Sequence, residues 1–521
     1  MSFADLTPQA VRQRWHDLHA EIGVLLCQQY GRVAESSPPF EPMAALDERL
    51  VQAIWHDQMV NHRLLATASG KAVEVVEPGR WNTTRGPDFL DAKVRIAGEL
   101  HEGDVEIHTQ SADWHRHGHD TDFEYNRVVL HVVLRASDDR PYETRQNGTR
   151  LERVVLEPFL EPDLDTIRAT IQLGDYPHGK PDTTGLCHSQ LMKLPREKLH
   201  EFLLLSGRLR LEDKVHRLEA QRASASSRQL IYQALMTAQG YKASKTLYFL
   251  LSKRVPAEEL LDLASDFPAE DRTDFCLAVL LHVSSQVEPP KANETEDDET
   301  QAFRARLTKF WAMARPYFSD RIIPPTKRWK SGMRPVSFPV RRLTAVARIL
   351  AAMVDEKTPL IPRLIQMLHA QNCREMNARE LKAYWVGLTK IIQPDPVDHY
   401  FETHYSLGGK KHGAIALMGE DAARGVLFNV MIPIAMLEAR QARRPEMENF
   451  LWHQAFSFPA LPGNSFVEMM EKRLFGPDGP PKGMLAREIM RQSLYRIFQE
   501  CCSGNERTCD QCSFMALANR Q

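Results

Sequence analysis

Two periods divide this chain. From about residue 71 to 158 apolar residues alternate in short runs, whereas from about 193 onward they recur three and four apart. An extended chain sends successive side chains to opposite faces, and a helix returns to one face every turn. The first stretch therefore predicts a sheet and the second a stack of helices. The strand candidates are "KAVEVVE" (71–77), "FLDAKVRIA" (89–97), "LHEGDVEIHT" (100–109), "NRVVLHVVLRA" (126–136) and "RLERVVLEP" (150–158). Pro78-Gly79, Gly86-Pro87, Gly98 and Asn147-Gly148 supply turns between them. Upstream, 7–31 and 42–66 have helical spacing, with Leu46, Leu50, Ile54 and Val60 roughly along one face. The expectation is an α+β protein: an N-terminal α/β domain with a mixed sheet, then a large all-α C-terminal region.

At 521 residues the chain exceeds what one core organises, and the divisions follow composition. Helices over 1–66 lead into an α/β core at 67–192, followed by a helical region at 193–288. "PPKANETEDDET" (289–300) holds five acids and no large apolar residue, which predicts a mobile linker or loop. A basic helical region (301–500) and a cysteine cluster (501–521) complete the chain. The formal net charge of −2 excludes any whole-molecule attraction to nucleic acid or membrane. "MSFADLTPQAVRQRWHDL" lacks an apolar signal core, and "GVLFNVMIPIAML" (425–437) is short for a bilayer span and contains Asn429 and Pro433. The expectation is a cytoplasmic protein without a membrane partner; the oligomeric state is not legible.

The densest chemical signal is "GPDFLDAKVRIAGELHEGDVEIHTQSADWHRHGHD" (86–120). Asp88 opens one strand, and Glu106 and His108, two apart on the next, emerge on one face. A hairpin around Gly98 would bring Asp88 beside Glu106. Two carboxylates at short range suit Mg²⁺ or Mn²⁺, with substrate phosphate and water completing the shell. His108 is placed to orient or deprotonate an attacking water. The competing reading makes Asp88 a turn residue and Glu106 one acid among several on an exposed face. His115, His117 and His119 alternate: extended backbone would align them as zinc ligands, a helix would scatter them, and Gly118 favours a loop. His131 in "VVLHVVL" reads as a hydrogen-bonded core histidine.

This arrangement resembles the PD-(D/E)XK nuclease superfamily, where Pro-Asp precedes one strand and an acid-x-Lys triplet sits on the next. Pro87-Asp88 and Glu106-Ile107-His108 match those positions, and Glu48 matches the acid of the upstream helix. The resemblance implies a restriction-endonuclease-like fold, phosphodiester hydrolysis, catalytic roles for Asp88, Glu106, His108 and Glu48, and metal ligation by Asp88 and Glu106. His108 stands where the family has lysine, and a neutral imidazole is not a fixed positive charge.

The eight cysteines do not make a disulfide scaffold in so long a chain. "CCSGNERTCDQC" gives Cys502-x6-Cys509-x2-Cys512, similar to the first three ligands of the endonuclease III type iron–sulfur loop. A fourth thiolate would come from Cys501 or from Cys187 in "GLCHSQL". Cys187 with the three C-terminal cysteines resembles the iron-staple nucleases, which implies a [4Fe–4S] cluster. Zn²⁺ on the same thiolates is the competing reading, and free thiols are the third.

Residues 303–350 carry twelve Lys or Arg against one acid, Asp320, with Phe310, Trp311, Tyr317, Phe318 and Trp329 among them. A positive, aromatic-bearing surface suits a nucleic-acid backbone, with Lys327, Arg328, Lys330, Arg334, Arg341 and Arg342 as the candidate contacts. The alternative is a solvated face whose charge pairs with the acidic insert.

Widely spaced segments together resemble a bacterial family known only as domain of unknown function 2851. They are residues 86–120, "NRVVLHVVL", "ALMTAQGYKASK" (234–245), "MRPVSFPVRRL" (333–343), "GVLFNVMIPIAML" and the cysteine group. That label implies no activity. The leading expectation is a metal-dependent nuclease acting on DNA or RNA. The alternatives are a non-catalytic nucleic-acid-binding protein and a hydrolase or binding module for a small phosphorylated ligand. "SLGGKKHG" (406–413) lacks the spacing of a phosphate loop, so ATP use is not expected.

Overall fold

Alternation decides which strand residues meet, and in the computed structural model all five strand candidates form. They are β1 (Val73–Glu77), β3 (Phe89–Ile96), β4 (Glu99–Gln110), β5 (Val128–Arg135) and β7 (Arg150–Val155), joined by the short β2 (Arg80–Trp81) and β6 (Tyr142–Thr144). The structure describes residues 6–29, 48–83, 85–171, 173, 176, 184–222, 225–240, 244–290, 296–330, 333–354, 360–369, 376–393 and 399–502.

One mixed sheet runs β1-β3-β4-β5-β7-β6, with β2 pairing beside β3. The β3–β4 hairpin is antiparallel and closes at Ile96↔Glu99, where Gly98 takes φ +88°. β4–β5 and β5–β7 are parallel, and β6 returns antiparallel to β7. Gly103 lets β4 pass close to the entry of β5: a Cβ there would lie 2.4 Å from the Arg127 carbonyl oxygen and 2.5 Å from Val129 Cγ1.

α1 spans Pro8–Gln29 and α2 spans Glu48–His56. The helix expected over 42–66 stops early: Gln58 turns left-handed at φ +52° and Val60 bridges to Leu160. The turn carries Met59, Val60 and Leu65 into the core with Leu50, Ile54, Val105, Ile107, Leu130 and Val132, which a continuing helix would not do. On the other face of the sheet Trp114, Tyr125, Val128 and Leu151 form a smaller cluster. β4 is consequently buried on both faces from Gly103 to His108.

The chain divides into two units. The unit holding the sheet comprises residues 13–206, 464–482 and 493–521; the other comprises 1–12, 207–463 and 483–492. After α3 (Asp113–Arg116), α4 (Leu164–Thr170) and α5 (His188–Leu191) the described elements are helical: α6 (Arg196–Arg222), α7 (Ser227–Gln239), α8 (Lys245–Arg254), α9 (Ala257–Ser265), α10 (Ala269–Val283), α11 (Asp298–Phe318) and α12 (Pro339–Val354) follow in order. The expected linker at 289–300 is in part a helix start, its residues 291–295 lying outside the described ones. The Asp297 carboxylate accepts from the Thr300 amide 2.7 Å away, and Asp298 and Glu299 occupy the first turn of α11. Negative charge there meets unsatisfied amides and the positive helix end.

Helical residues 420–441 are long and apolar enough to cross a membrane by length and composition, with 78% of that window buried inside the protein. The apolar run is thus part of a longer helix than its sequence suggests, and Pro433 follows a π-helical turn at Leu427–Met431.

Candidate functional site

The loop before β3 is held by Asn82. Its amide nitrogen donates to the carbonyls of Pro87 (2.8 Å) and Arg85 (3.2 Å), and Gly86 supplies φ +98°. That fixes Asp88 at the strand entry. The Asp88 amide donates to Glu106 Oε2 at 3.0 Å, and the Ile107 amide donates to Asp88 Oδ2 at 3.1 Å. Gln52 of α2 donates to Asp88 Oδ1 at 2.9 Å. Glu48 stands one turn before Gln52, half-buried. The convergence expected of Asp88 and Glu106 is therefore present as a reciprocal clasp. Glu106 is 4% exposed, which removes the reading of an acid on a solvated face.

Beyond β4 the chain folds back over its polar face. Asp113 anchors the return by accepting from the Gln110 amide and the Thr109 hydroxyl, both at 3.1 Å. α3 then makes one turn, and the His119 amide closes onto the Trp114 carbonyl at 3.0 Å. The helical turn separates the three alternating histidines. His115 leaves the set, 2.8 Å from Asp120 and 3.1 Å from Arg140. His117 and His119 instead join His108, with His108 Nε2 3.1 Å from His117 Nδ1. Glu106 Oε1 lies 3.2 Å from His119 Nε2 and 3.6 Å from His108 Nε2. One ligand atom from each of His108, His117 and His119 falls within 4.8 Å of the others. The alignment that extended backbone would give His115, His117 and His119 is thus absent, and the strand histidine joins His117 and His119 in place of His115.

Behind His108 a row of polar side chains crosses four strands. His108 Nδ1 lies 2.9 Å from His131 Nε2, and His131 Nδ1 lies 3.4 Å from Glu143 Oε1. Arg153 donates to Glu143 at 3.1 Å and to Asp138 at 2.9 Å. His131 is the hydrogen-bonded core histidine its strand implied. Its pairing with the site, together with Glu143, Arg153 and Gln52, was not read from the sequence. The available signal was a lone imidazole in an apolar strand; its register with Glu106 is set by the parallel pairing of β4 with β5.

Burial, then the neighbouring His131, His119, His117 and Arg116, hold the His108 imidazole well below the ordinary histidine range. It is consequently neutral near pH 7, with lone-pair nitrogen available. Burial lowers His131 as well, partly offset by Glu143. Burial pushes the Glu143 carboxyl up, but His131, Arg153 and His115 more than reverse this. A cavity of about 140 Å³ beside Glu143, lined by His115, Arg140 and Tyr142, has room for a few waters rather than a nucleotide.

The remaining candidates are the cysteines and the basic stretch. The Cys187 side chain is buried and Cys502 half-buried, while Cys509 and Cys512 lie outside the described residues. In the basic stretch Arg341 is 0% exposed, a correction to its place on a surface track. Its guanidinium donates to the carbonyls of Val336 (3.1 Å), Ile415 (2.9 Å), Ala416 (3.0 Å) and Phe401. Arg342 donates to the Gln239 carbonyl, and Lys330 pairs with Glu288. Arg334 is exposed, and the side chains of Lys327 and Arg328 lie outside the described ones. Phe310, Phe318 and Trp329 are core residues and Trp311 stacks on His282, so the expected row of stacking platforms reduces to Tyr317. Pairing with acids, the bland alternative, holds for Arg304 with Glu296.

No curated protein and no solved structure matches the chain significantly. A family profile described as protein of unknown function (DUF2851) matches residues 48–456, a span that contains α2, the whole sheet and every residue of the clasp and histidine cluster. The chain belongs to the DUF2851 family.

Proposed function

We propose that this protein is a metal-dependent hydrolase of phosphodiester bonds in nucleic acid, with a PD-(D/E)XK-like site on a restriction-endonuclease-like core. The observation that carries the reading is the clasp: Asp88 at the head of one strand and Glu106-x-His108 on the next, hydrogen-bonded to each other and buried. A divalent ion beside Glu106, Mg²⁺ or Mn²⁺ in the simplest case, would polarise a phosphate oxygen and acidify a bound water. The Asp88 amide fixes one oxygen of Glu106 and leaves the other turned toward the imidazoles. Arg116, 68% exposed next to His117, is paired with Asp113 at 2.7 Å. Glu48, a turn from Gln52, is the supporting acid on α2. The C-terminal cysteines, with Cys187, are the proposed seat of a [4Fe–4S] cluster or Zn²⁺ that braces the chain. The cytoplasm is the proposed compartment.

The test is cleavage of mixed single- and double-stranded DNA and RNA by protein purified without oxygen, with Mg²⁺ or Mn²⁺. Wild type should cleave, and Glu106→Ala should lose about a thousandfold or more in rate while retaining polynucleotide binding. Cleavage that survives in Glu106→Ala overturns the assignment. Salt-dependent binding without cleavage by either protein favours the second reading, a nucleic-acid-binding protein that keeps the nuclease-like fold. The buried Glu106–His108 pair motivates that reading too, because no fixed positive charge stands in the lysine position.

A further inference from the structure

We propose that the chain carries a transition-metal centre whose ligands are His108, His117 and His119, with Glu106 Oε1 facing the fourth position. The inference deepens the hydrolase reading by naming the class of ion, and it rests on donor chemistry and geometry. Imidazole nitrogen suits Zn²⁺, Co²⁺, Ni²⁺ or Fe²⁺, whereas Mg²⁺ is bound by oxygen ligands and keeps several of its waters. Ligand atoms around one tetrahedral ion stand about 3.4 Å apart when each lies near 2.1 Å from the metal. The contacts of 3.1 Å (His108–His117), 3.2 Å (His119–Glu106) and 3.6 Å (His108–Glu106) bracket that spacing.

Groups behind the ligands hold them in place. His131 engages His108 Nδ1, so the His108 nitrogen turned toward His117 and Glu106 is Nε2, and Glu143 lies 3.4 Å behind His131. The Asp88 amide does the same for Glu106 by holding Oε2. His119 stacks on Tyr125 with ring centroids 3.8 Å apart, which fixes its plane. His117 is exposed while His108 and His119 are buried, so an ion has a way in from solvent and one ligand that can swing. Asp88 is a positioning residue in this arrangement, its two oxygens accepting from Gln52 and the Ile107 amide.

The experiment is a cobalt titration of untagged full-length protein stripped with chelator. Visible d–d absorption is the readout; thiolate-bound cobalt would show itself separately by strong near-ultraviolet charge transfer. Wild type should take up one Co²⁺ per chain in the visible bands, displaced by equimolar Zn²⁺ and not by millimolar Mg²⁺. His117→Ala and His119→Ala should weaken binding about tenfold or more, and His115→Ala should leave it within about twofold. Equal loss in His115→Ala, unchanged binding in both ligand variants, or displacement by Mg²⁺ overturns the centre. Because His117 is exposed, its replacement leaves the core packing in place. Cobalt bound in the expected pattern by a protein that cleaves nothing sinks the hydrolase reading and spares the centre. Mg²⁺-driven cleavage that survives His117→Ala does the reverse.

Discussion

His108 and Arg341 are both buried polar residues, 1% and 0% exposed, and they sit in the two stretches whose composition promised chemistry. Their partners differ. His108 meets other side chains: two imidazoles of the fold-back turn, the imidazole of β5 and a carboxylate. Arg341 meets backbone carbonyls from three segments of the helical unit. A buried group surrounded by ionisable side chains keeps a protonation state and a lone pair that other molecules can address. A guanidinium spread over carbonyls is a strut, since its donors are spent and its charge is screened from any ligand. Density of charged letters therefore says little by itself; the kind of partner decides.

Removing the strut should give the largest stability effect in the helical unit. Arg341→Ala strands several buried carbonyls and is expected to cost about 3 kcal/mol in urea unfolding. Its salt dependence of polynucleotide binding should stay where wild type has it. A near-neutral Arg341→Ala would erase the contrast with His108. Arg334, exposed, is the complementary case. Arg334→Ala should change stability by less than about 0.5 kcal/mol, and if residues 327–342 touch phosphates it should lower the log–log salt slope by about one. An unchanged slope would leave the basic stretch purely structural.

A pH-dependent effect concerns Lys214, a buried titratable group of the helical unit, which donates to Gln492 (3.0 Å) and Asn429. Burial, with Arg210 and Arg217 nearby, holds its amine well below the ordinary lysine range. In the window between that lowered value and the ordinary one the unfolded chain binds more protons than the native one. Stability from this residue therefore rises with pH through that window and is constant below it, where both states bind the proton. The stability of wild type relative to Lys214→Met should thus increase as pH rises toward the ordinary lysine value in paired urea titrations. A flat difference would mean that the native amine titrates like an exposed one.

Much of the sheet was legible because most of its strands alternate and adjoin a glycine or proline turn, and Gly98 closes the hairpin that joins Asp88 to Glu106. The histidine cluster was only half legible. Strand spacing pairs Glu106 with His108, but bringing His117 and His119 to them requires a single helical turn anchored by Asp113, and four residues are too few for periodicity to announce a helix. The role of His131 was hidden because parallel pairing between β4 and β5 is a long-range fact. Arg341 misled for a related reason. Its acceptors lie 60 to 75 positions away in sequence, at Phe401, Ile415 and Ala416, where no local pattern can point to them. The end of α2 was missed because tertiary burial of Met59 and Val60 overrides helical spacing.

The clasp and cluster come from residues 88 to 131, yet the unit that holds them also takes in 464–482 and 493–521. At synthesis rates of about 5–20 residues per second, the fold-back turn leaves the ribosome tens of seconds before those closing segments exist. The order of manufacture therefore leaves two occasions for metal to reach the proposed centre, one before those segments exist and one after. Starving cells of metal during translation, then restoring it, separates the two: a site that fills only while nascent would stay empty on restoration.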